Sequence, residues 1–223
     1  MQQAKAAAGE RSVAYTVTRE YQLSAAGAPR PSSNVVAQVS FIPPSAKQYV
    51  IVKAEGSERG AGIVRKVLDH EAGMARHAAP NDISRQNYDF ALLGRESLEG
   101  RGCYVLQLSP KRNAVDLVRG KAWVDAQNFL VRRVEGDTAK SPSFWIKKLV
   151  VTLNYGQVNG VWVQTSTQAV ADVRLAGTHV LTSRDLDVQA ATFSARSQPP
   201  SQLRGQRRGG RHTVADAATW LAR

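Results

Sequence analysis

The chain has 223 residues, of which 43% are apolar, and it carries a formal net charge of +12. That length can bury one large core or two small ones, but no apolar run approaches the roughly 20 residues needed to span a bilayer. Residues 1–12 lack the pattern of a signal peptide, and the single cysteine, Cys103, excludes both an intrachain disulfide and a cysteine-based zinc site.

Strands fill the N-terminal quarter of the chain. Residues 13–23 and 35–41 alternate apolar with polar side chains, which predicts two strands that each have one dry face. Pro43 ends the second strand because proline cannot donate to a ladder of hydrogen bonds. Residues 49–53 are apolar on both faces, so we predict a central strand that is covered on both sides.

Residues 57–77 carry the one long helical pattern, with an apolar face opposite a charged one. The apolar face consists of Ile63, Val64, Val67, Leu68, Met74 and Ala75. We therefore predict a helix that lies across a sheet. Glu71 falls within this face, where a carboxylate needs a partner. We predict that Glu71 pairs with Arg133 on the sheet, or that it contacts a ligand or latches the helix from within a cavity.

From residue 88 onward the chain consists of short alternating segments joined by turns. Predicted strands begin near residues 88, 104, 115, 129, 145, 161 and 180. Asn159 and Gly160 form the strongest hairpin signal, since both central positions of a type I′ turn need a positive φ. Gly120 is expected to mark a bulge. Together with the N-terminal segments, the pattern predicts an α+β, mostly β domain of about ten antiparallel strands and one helix.

The last thirty residues differ from the rest in composition. Residues 194–223 hold six arginines and one acidic residue, with few apolar side chains. Such a segment cannot bury enough apolar surface to become ordered, so we predict a disordered tail with a short helix over residues 213–221. The predicted organisation is an extension at residues 1–12, one domain at residues 13–193, and this tail.

No sequence motif points to catalysis. His70 begins an H-E-x-x-H helix motif, but Met74 occupies the position of the second histidine. The glycines at the start of the helix match neither pattern of a phosphate-binding loop. Cys103 lies in the middle of a predicted strand without a neighbouring histidine, so we predict that it is a core residue. We predict a protein without enzymatic activity, metal or cofactor.

Apolar side chains on the predicted dry faces suggest a different kind of site. A bent sheet covered by one helix leaves an apolar cleft unless side chains fill it, and the alternation does not decide between the two. We assign these residues to lipid binding in the cleft: Tyr15, Val17, Phe41, Ile63, Val67, Met74, Phe90, Tyr104, Leu106, Trp145 and Leu149.

Five segments carry a resemblance to a known family. They are NYDFALLG at residues 87–94, GRGCYVL at 100–106, PKR at 110–112, GKAWVD at 120–125 and AKSPSFW at 139–145. In this order and spacing they resemble the outer-membrane lipoprotein-sorting proteins of the LolA-like superfamily, bacterial envelope proteins that include lipoprotein carriers and a stress sensor. The resemblance implies an incomplete antiparallel β-barrel with a helix over its concave face, a cleft for acyl chains, and a location in the periplasm or cell envelope.

We predict that the protein binds lipid or lipoprotein acyl chains in this cleft as a monomeric carrier or sensor. Burial of about 0.8 kcal/mol per CH₂ would drive uptake, and the basic surface suits anionic headgroups or an acidic envelope partner. Two alternatives stay open. One is a nucleic-acid-binding protein that uses the arginine-rich tail, and the other is a structural or protein-interaction domain with a filled core.

Overall fold

The computed structural model describes residues 14–42, 46–75 and 83–190, which form ten strands and one helix. The first part of the chain contains β1 (Tyr15–Ala25), β2 (Ser33–Ile42), β3 (Ala46–Gly56) and α1 (Glu58–Ala75). The remainder contains β4 (Tyr88–Leu98), β5 (Arg101–Pro110), β6 (Val118–Asp125), β7 (Val131–Thr138), β8 (Ile146–Val158), β9 (Val161–Val173) and β10 (Gly177–Ala190). The predicted extension lies outside these residues, as does the predicted tail.

All ten strands belong to one antiparallel sheet with the order β3-β2-β1-β10-β9-β8-β7-β6-β5-β4. The first strand pairs with the last, so that Tyr15 opposes Ala190. Strands β3 and β4 are the two edges, and the sheet does not close on itself. The fold is therefore an incomplete antiparallel barrel with a helix, and the predicted fold class is confirmed.

The prediction that residues 49–53 form a central strand is wrong. They lie in β3, an edge strand, where the Val50 and Val52 side chains are 65% and 53% exposed. An apolar stretch does not reveal whether a further strand pairs beside it, and here none of the described strands does. The helix that follows covers only the other face of β3.

Strands β6 and β7 approach each other closely at a pair of glycines. Gly120 opposes Gly136, and a Cβ atom added to Gly120 would lie 2.0 Å from the Glu135 carbonyl oxygen. Only glycine allows two strands to approach this closely. The expected bulge at Gly120 is wrong, because the register shift of this pair falls between Trp123 and Val124. Gly120 therefore allows the close approach of β6 to β7.

The core is divided into three clusters on the face of the sheet that carries α1, which we call the inner face. The cluster beneath the helix contains Val17, Tyr21, Val35, Ala37, Val39, Val64, Leu68 and Val188. A second, partly formed by the 111–117 loop, contains Tyr88, Leu108, Leu117, Ala122 and Val134. A small third cluster contains Ile146, Ala171 and Val173. The inner face is thus packed in separate regions rather than as one continuous layer.

Candidate functional site

Helix α1 covers one side of the inner face. Ser57 caps the helix, since its hydroxyl oxygen accepts a hydrogen bond from the Gly60 amide at 3.1 Å. The helix then packs on β1, β2 and β3 through an apolar face that includes Val64 and Leu68, both at most 1% exposed. Near its C-terminal end, the Tyr49 hydroxyl donates to Asp69 at 2.5 Å. Burial and this hydrogen bond raise the pKa of Tyr49 to about 12.

A group of charged side chains lies between the helix and the sheet. We call Arg19, Lys47, Glu71 and Asp185 the inner ion cluster. Arg19 on β1 is 5% exposed, and its Nε donates to Asp185 Oδ1 on β10 at 2.5 Å. Glu71 on α1 binds Lys47 on β3 at 2.5 Å and approaches Arg19 at 3.8 Å. The cluster therefore ties the helix to two strands of the sheet.

The predicted partner of Glu71 is corrected by these contacts. Arg133 donates to Asn154 at 2.8 Å and lies 3.7 Å from Glu99, whereas Glu71 pairs with Lys47 and Arg19. Arg133 directly opposes Trp123, one position from the inner-face Ala122–Val134 pair, so it points to the opposite face of the sheet. Glu71 is paired, as expected, but with cations on β1 and β3.

The Arg19–Asp185 pair is the buried part of the inner ion cluster. Burial raises the pKa of the Asp185 carboxyl, and the Arg19 guanidinium opposes this increase. Burial also raises the pKa of Tyr21 above its usual range, with a further increase from the negative charge of Glu71. The Asp185 Oδ2 and Tyr21 hydroxyl are buried without a hydrogen-bond partner among the described residues. These two polar groups are thus not satisfied by the described part of the chain.

Beside this cluster, the middle of the sheet retains apolar side chains that are not fully buried. Directly opposed residues share a face, and the pairs Leu23–Leu181, Leu181–Ala169 and Ala169–Val151 continue the inner face across β10, β9 and β8. We define the inner trough as Leu149, Val151, Leu153, Ala169 and Leu181, all of which are half-buried. Val151 and Ala169 join none of the three clusters.

The residues predicted for lipid binding fall in different places on the structure. Tyr15 and Val17 belong to the cluster beneath the helix or pack against it, and the Phe41 ring lies 5.4 Å from the Tyr15 ring. On the helix, Ile63 is buried and Val67 is half-buried. The side chain of Met74 lies outside the described part of the chain.

The remaining predicted residues lie away from the helix. Phe90 packs against the second cluster, and the half-buried Leu106 opposes Ala122 of that cluster. Tyr104 stacks on Phe129 at 6.4 Å. Trp145 lies just before β8, and Leu149 packs against the third cluster and belongs to the inner trough. The sequence analysis missed the other trough residues, although their alternation along β8, β9 and β10 could have indicated them.

The described residues hold no metal-binding group that adds to this site. Among the described residues, no three His, Cys, Asp or Glu side chains are grouped so that they could hold an ion. Cys103 is buried, and burial raises the pKa of its thiol, which disfavours the reactive thiolate. Within the same residues, no helix has both the length and the apolar character that crossing a bilayer requires.

A family model described as "-like: Uncharacterized protein" matches residues 71–191, which is more than half of the chain. The chain belongs to this family. The matched region begins at Glu71 and includes strands β4 to β10, and it therefore contains the whole inner trough. No curated protein gave a significant match.

Several solved structures are similar to the chain. One is a putative outer membrane lipoprotein-sorting protein domain from Vibrio parahaemolyticus, with 15% identity and a TM-score of 0.47 over 86% of this chain and 92% of that one. A LolA superfamily protein from Nitrosomonas europaea has 15% identity and a TM-score of 0.42, with coverages of 87% and 94%. A DUF1329 family protein from Desulfovibrio piger has 14% identity and a TM-score of 0.44, with coverages of 86% and 93%. Two of these descriptions name the group of proteins that the sequence motifs of the chain resemble.

Proposed function

We propose that the protein binds lipid or lipoprotein acyl chains, without enzymatic activity, in the inner trough beside α1. The observation that carries the proposal is the half-burial of Val151, Ala169 and Leu181 in the middle of a ten-stranded sheet. Central strands normally pack their apolar face against another layer. Here helix α1 packs on β1, β2 and β3, so an apolar ligand can complete the layer over β8 to β10.

The size of the driving force supports an acyl chain as the ligand. Each methylene group transferred from water to an apolar surface contributes about 0.8 kcal/mol, so that a partly inserted chain already binds. The trough offers aliphatic side chains along three adjacent strands, with the hydroxyls of Thr167 and Ser183 beside them on the inner face. A long, flexible and apolar ligand fits such a surface better than a compact polar metabolite.

A carrier also has to release its ligand, and we assign this step to movement of α1. The bond between Glu71 and Lys47 ties the C-terminal half of the helix to β3, an edge strand. Both side chains remain partly exposed, at 25% and 22%, so a competing ion or partner can reach them. In this proposal Glu71 is the latch of the helix, with Lys47 in the role first given to Arg133.

The proposal is tested by measuring displacement of a fluorescent long-chain fatty acid from the full chain and two variants. Val151→Asn places an amide in the trough, whereas Val150→Asn makes the same change one residue earlier, on the opposite face of β8. We expect Val151→Asn to weaken probe binding by about tenfold, since it removes apolar contact and adds an unpaired polar group. The Val150→Asn variant should bind as the wild type does.

Equal binding by both variants would refute the trough as the ligand site. Native mass spectrometry of protein purified from its own host provides a second measurement, with a lipid adduct expected on the wild type. Absence of any adduct, together with no probe binding, would favour the alternative of a domain without a lipid ligand. Binding to nucleic acid that is lost on deletion of residues 194–223 would favour the other alternative.

We also propose that the protein acts in the periplasm or cell envelope of a bacterium, as the resemblance of its sequence motifs implies. Cell fractionation with an antibody against the chain tests this location. Recovery of the protein in the cytoplasmic fraction alone would contradict it.

A further inference from the structure

Two loops at one end of strands β8, β9 and β10 carry exposed apolar side chains. Phe144, in the loop before β8, is 75% exposed, and Leu175, in the turn between β9 and β10, is 99% exposed. Trp145 lies beside Phe144, with the two rings 5.7 Å apart in an edge-to-face arrangement. We call Phe144, Trp145 and Leu175 the rim tip.

Leu175 is held in an unfavourable conformation as well as an exposed one. Its φ angle is +64°, in the left-handed region that a branched side chain seldom occupies. The conformation costs about 1–2 kcal/mol relative to an ordinary one, and full exposure of the side chain gains nothing in return for the fold. The unfavourable conformation and the exposure fall on one residue of a three-residue turn, which points to a role for the leucine outside the folded chain.

Hydrogen bonds connect the two loops that carry the rim tip. The Arg174 amide donates to the Trp145 carbonyl at 2.8 Å, and the Arg174 Nε donates to the Phe144 carbonyl at 2.9 Å. The Arg174 guanidinium also lies 4.9 Å from the centre of the Phe144 ring. These contacts join the two loops, so that Phe144 and Leu175 are presented from one support.

Positive charge surrounds these apolar side chains. Lys140 and Arg174 have no carboxylate partner among the described residues, and Lys147 and Lys148 lie at the start of β8. Two acids offset part of this charge, because Lys147 lies 4.0 Å from Asp172 and Lys148 lies 3.4 Å from Asp137. The neighbourhood keeps a net positive charge, which is complementary to an anionic surface.

We propose that the rim tip docks on a bilayer that contains anionic lipids. Exposed aromatic and aliphatic side chains enter the boundary between headgroups and acyl chains, while nearby lysine and arginine side chains bind the phosphate groups. Tryptophan suits this boundary because its ring is apolar and its N–H is polar. Docking does not depend on the proposed function, but it would bring the Leu149 end of the inner trough close to the lipid.

The experiment is sedimentation of the full chain with vesicles of phosphatidylcholine, prepared with and without phosphatidylglycerol. Three proteins are compared: the wild type, the double variant Phe144→Ser/Leu175→Ser, and the control Phe129→Ser/Leu186→Ser. The control removes the same residue types from other exposed positions, 46% and 50% exposed respectively. All three proteins carry the same charge, so that non-specific attraction of the basic chain is equal in each.

We expect the wild type and the control to bind the anionic vesicles, and the rim-tip variant to partition at least about tenfold more weakly. Thermal unfolding of each protein should show that all three are folded, since the substituted side chains are exposed. Equal partitioning of the two double variants would overturn the proposal, as would a wild type that does not bind. Val151→Asn should bind vesicles as the wild type does, which separates this result from a failure of the trough.

Discussion

Asp185 is the residue on which the charge balance of the inner face depends. Arg19 is almost completely buried, and Asp185 is its nearest carboxylate, at 2.5 Å, while Glu71 is 3.8 Å away. A buried ion pair adds little stability in itself, because removing both charges from water offsets their attraction. Loss of one partner is different, since it leaves the other charge buried and unpaired.

We therefore expect Asp185→Asn to lower the free energy of unfolding by about 3 kcal/mol. The matched control is Asp187→Asn, two residues along β10, where the exposed carboxylate accepts a hydrogen bond from Gln189. This control should change stability by less than about 0.5 kcal/mol. Urea unfolding followed by circular dichroism measures both values. Equal stability of the two variants would show that Glu71 alone suffices to pair Arg19.

Helix α1 begins where the chain leaves β3, and its glycines differ in surroundings. A Cβ atom added to Gly60 would lie 2.4 Å from the Ser33 Cβ of β2, whereas one added to Gly62 would meet nothing within 4 Å. Alanine favours a helix over glycine by about 1 kcal/mol at either position. The close approach to Ser33 outweighs this preference at Gly60 only.

Gly62→Ala should accordingly raise the free energy of unfolding by about 0.5–1 kcal/mol. Gly60→Ala should lower it by about 1–3 kcal/mol, because the added methyl group overpacks the contact between the helix and β2. Chemical denaturation of the two single variants measures the opposite signs. A gain of stability in both would contradict the close packing of the helix start on the sheet.

The sequence predicted the elements well and their surroundings poorly. Hydrophobic alternation depends only on which side of a strand is dry, so the strands and the helix at 57–77 could be found before their partners were known. Pairing could not. Val50 and Val52 gave the pattern of a central strand, yet β3 is an edge, and Glu71 pairs with Lys47 rather than Arg133.

The candidate site was harder to predict for the same reason. The inner trough depends on which strand lies beside which, since Val151 and Leu181 share it only through the register of β8, β9 and β10. Trp145, by contrast, was predicted for the site but lies outside the inner trough. Its aromatic character suggested a cleft residue, but the loop that carries it lies at the end of the sheet and contributes to the rim tip.

At the scale of the whole molecule, the sheet depends on the close approach of β6 and β7 at Gly120 and Gly136. We expect Gly120→Ala to lower the free energy of unfolding by about 2–3 kcal/mol, since its methyl group would meet the Glu135 carbonyl oxygen. The control is Gly102→Ala on β5, where an added Cβ would meet nothing within 4 Å. Thermal unfolding should separate the two variants, and similar melting temperatures would show that the contact between the two strands relaxes at little cost.

The pairing of β1 with β10 has a consequence for biosynthesis. The N-terminal strands and α1 emerge from the ribosome first, but one flank of β1 has no neighbour until residues 177–190 have been made. Contacts so distant in sequence slow folding and leave an unpaired strand edge accessible in the meantime. A nascent chain therefore presents this edge of β1 to chaperones from the time that β1 has been made until β10 has been made.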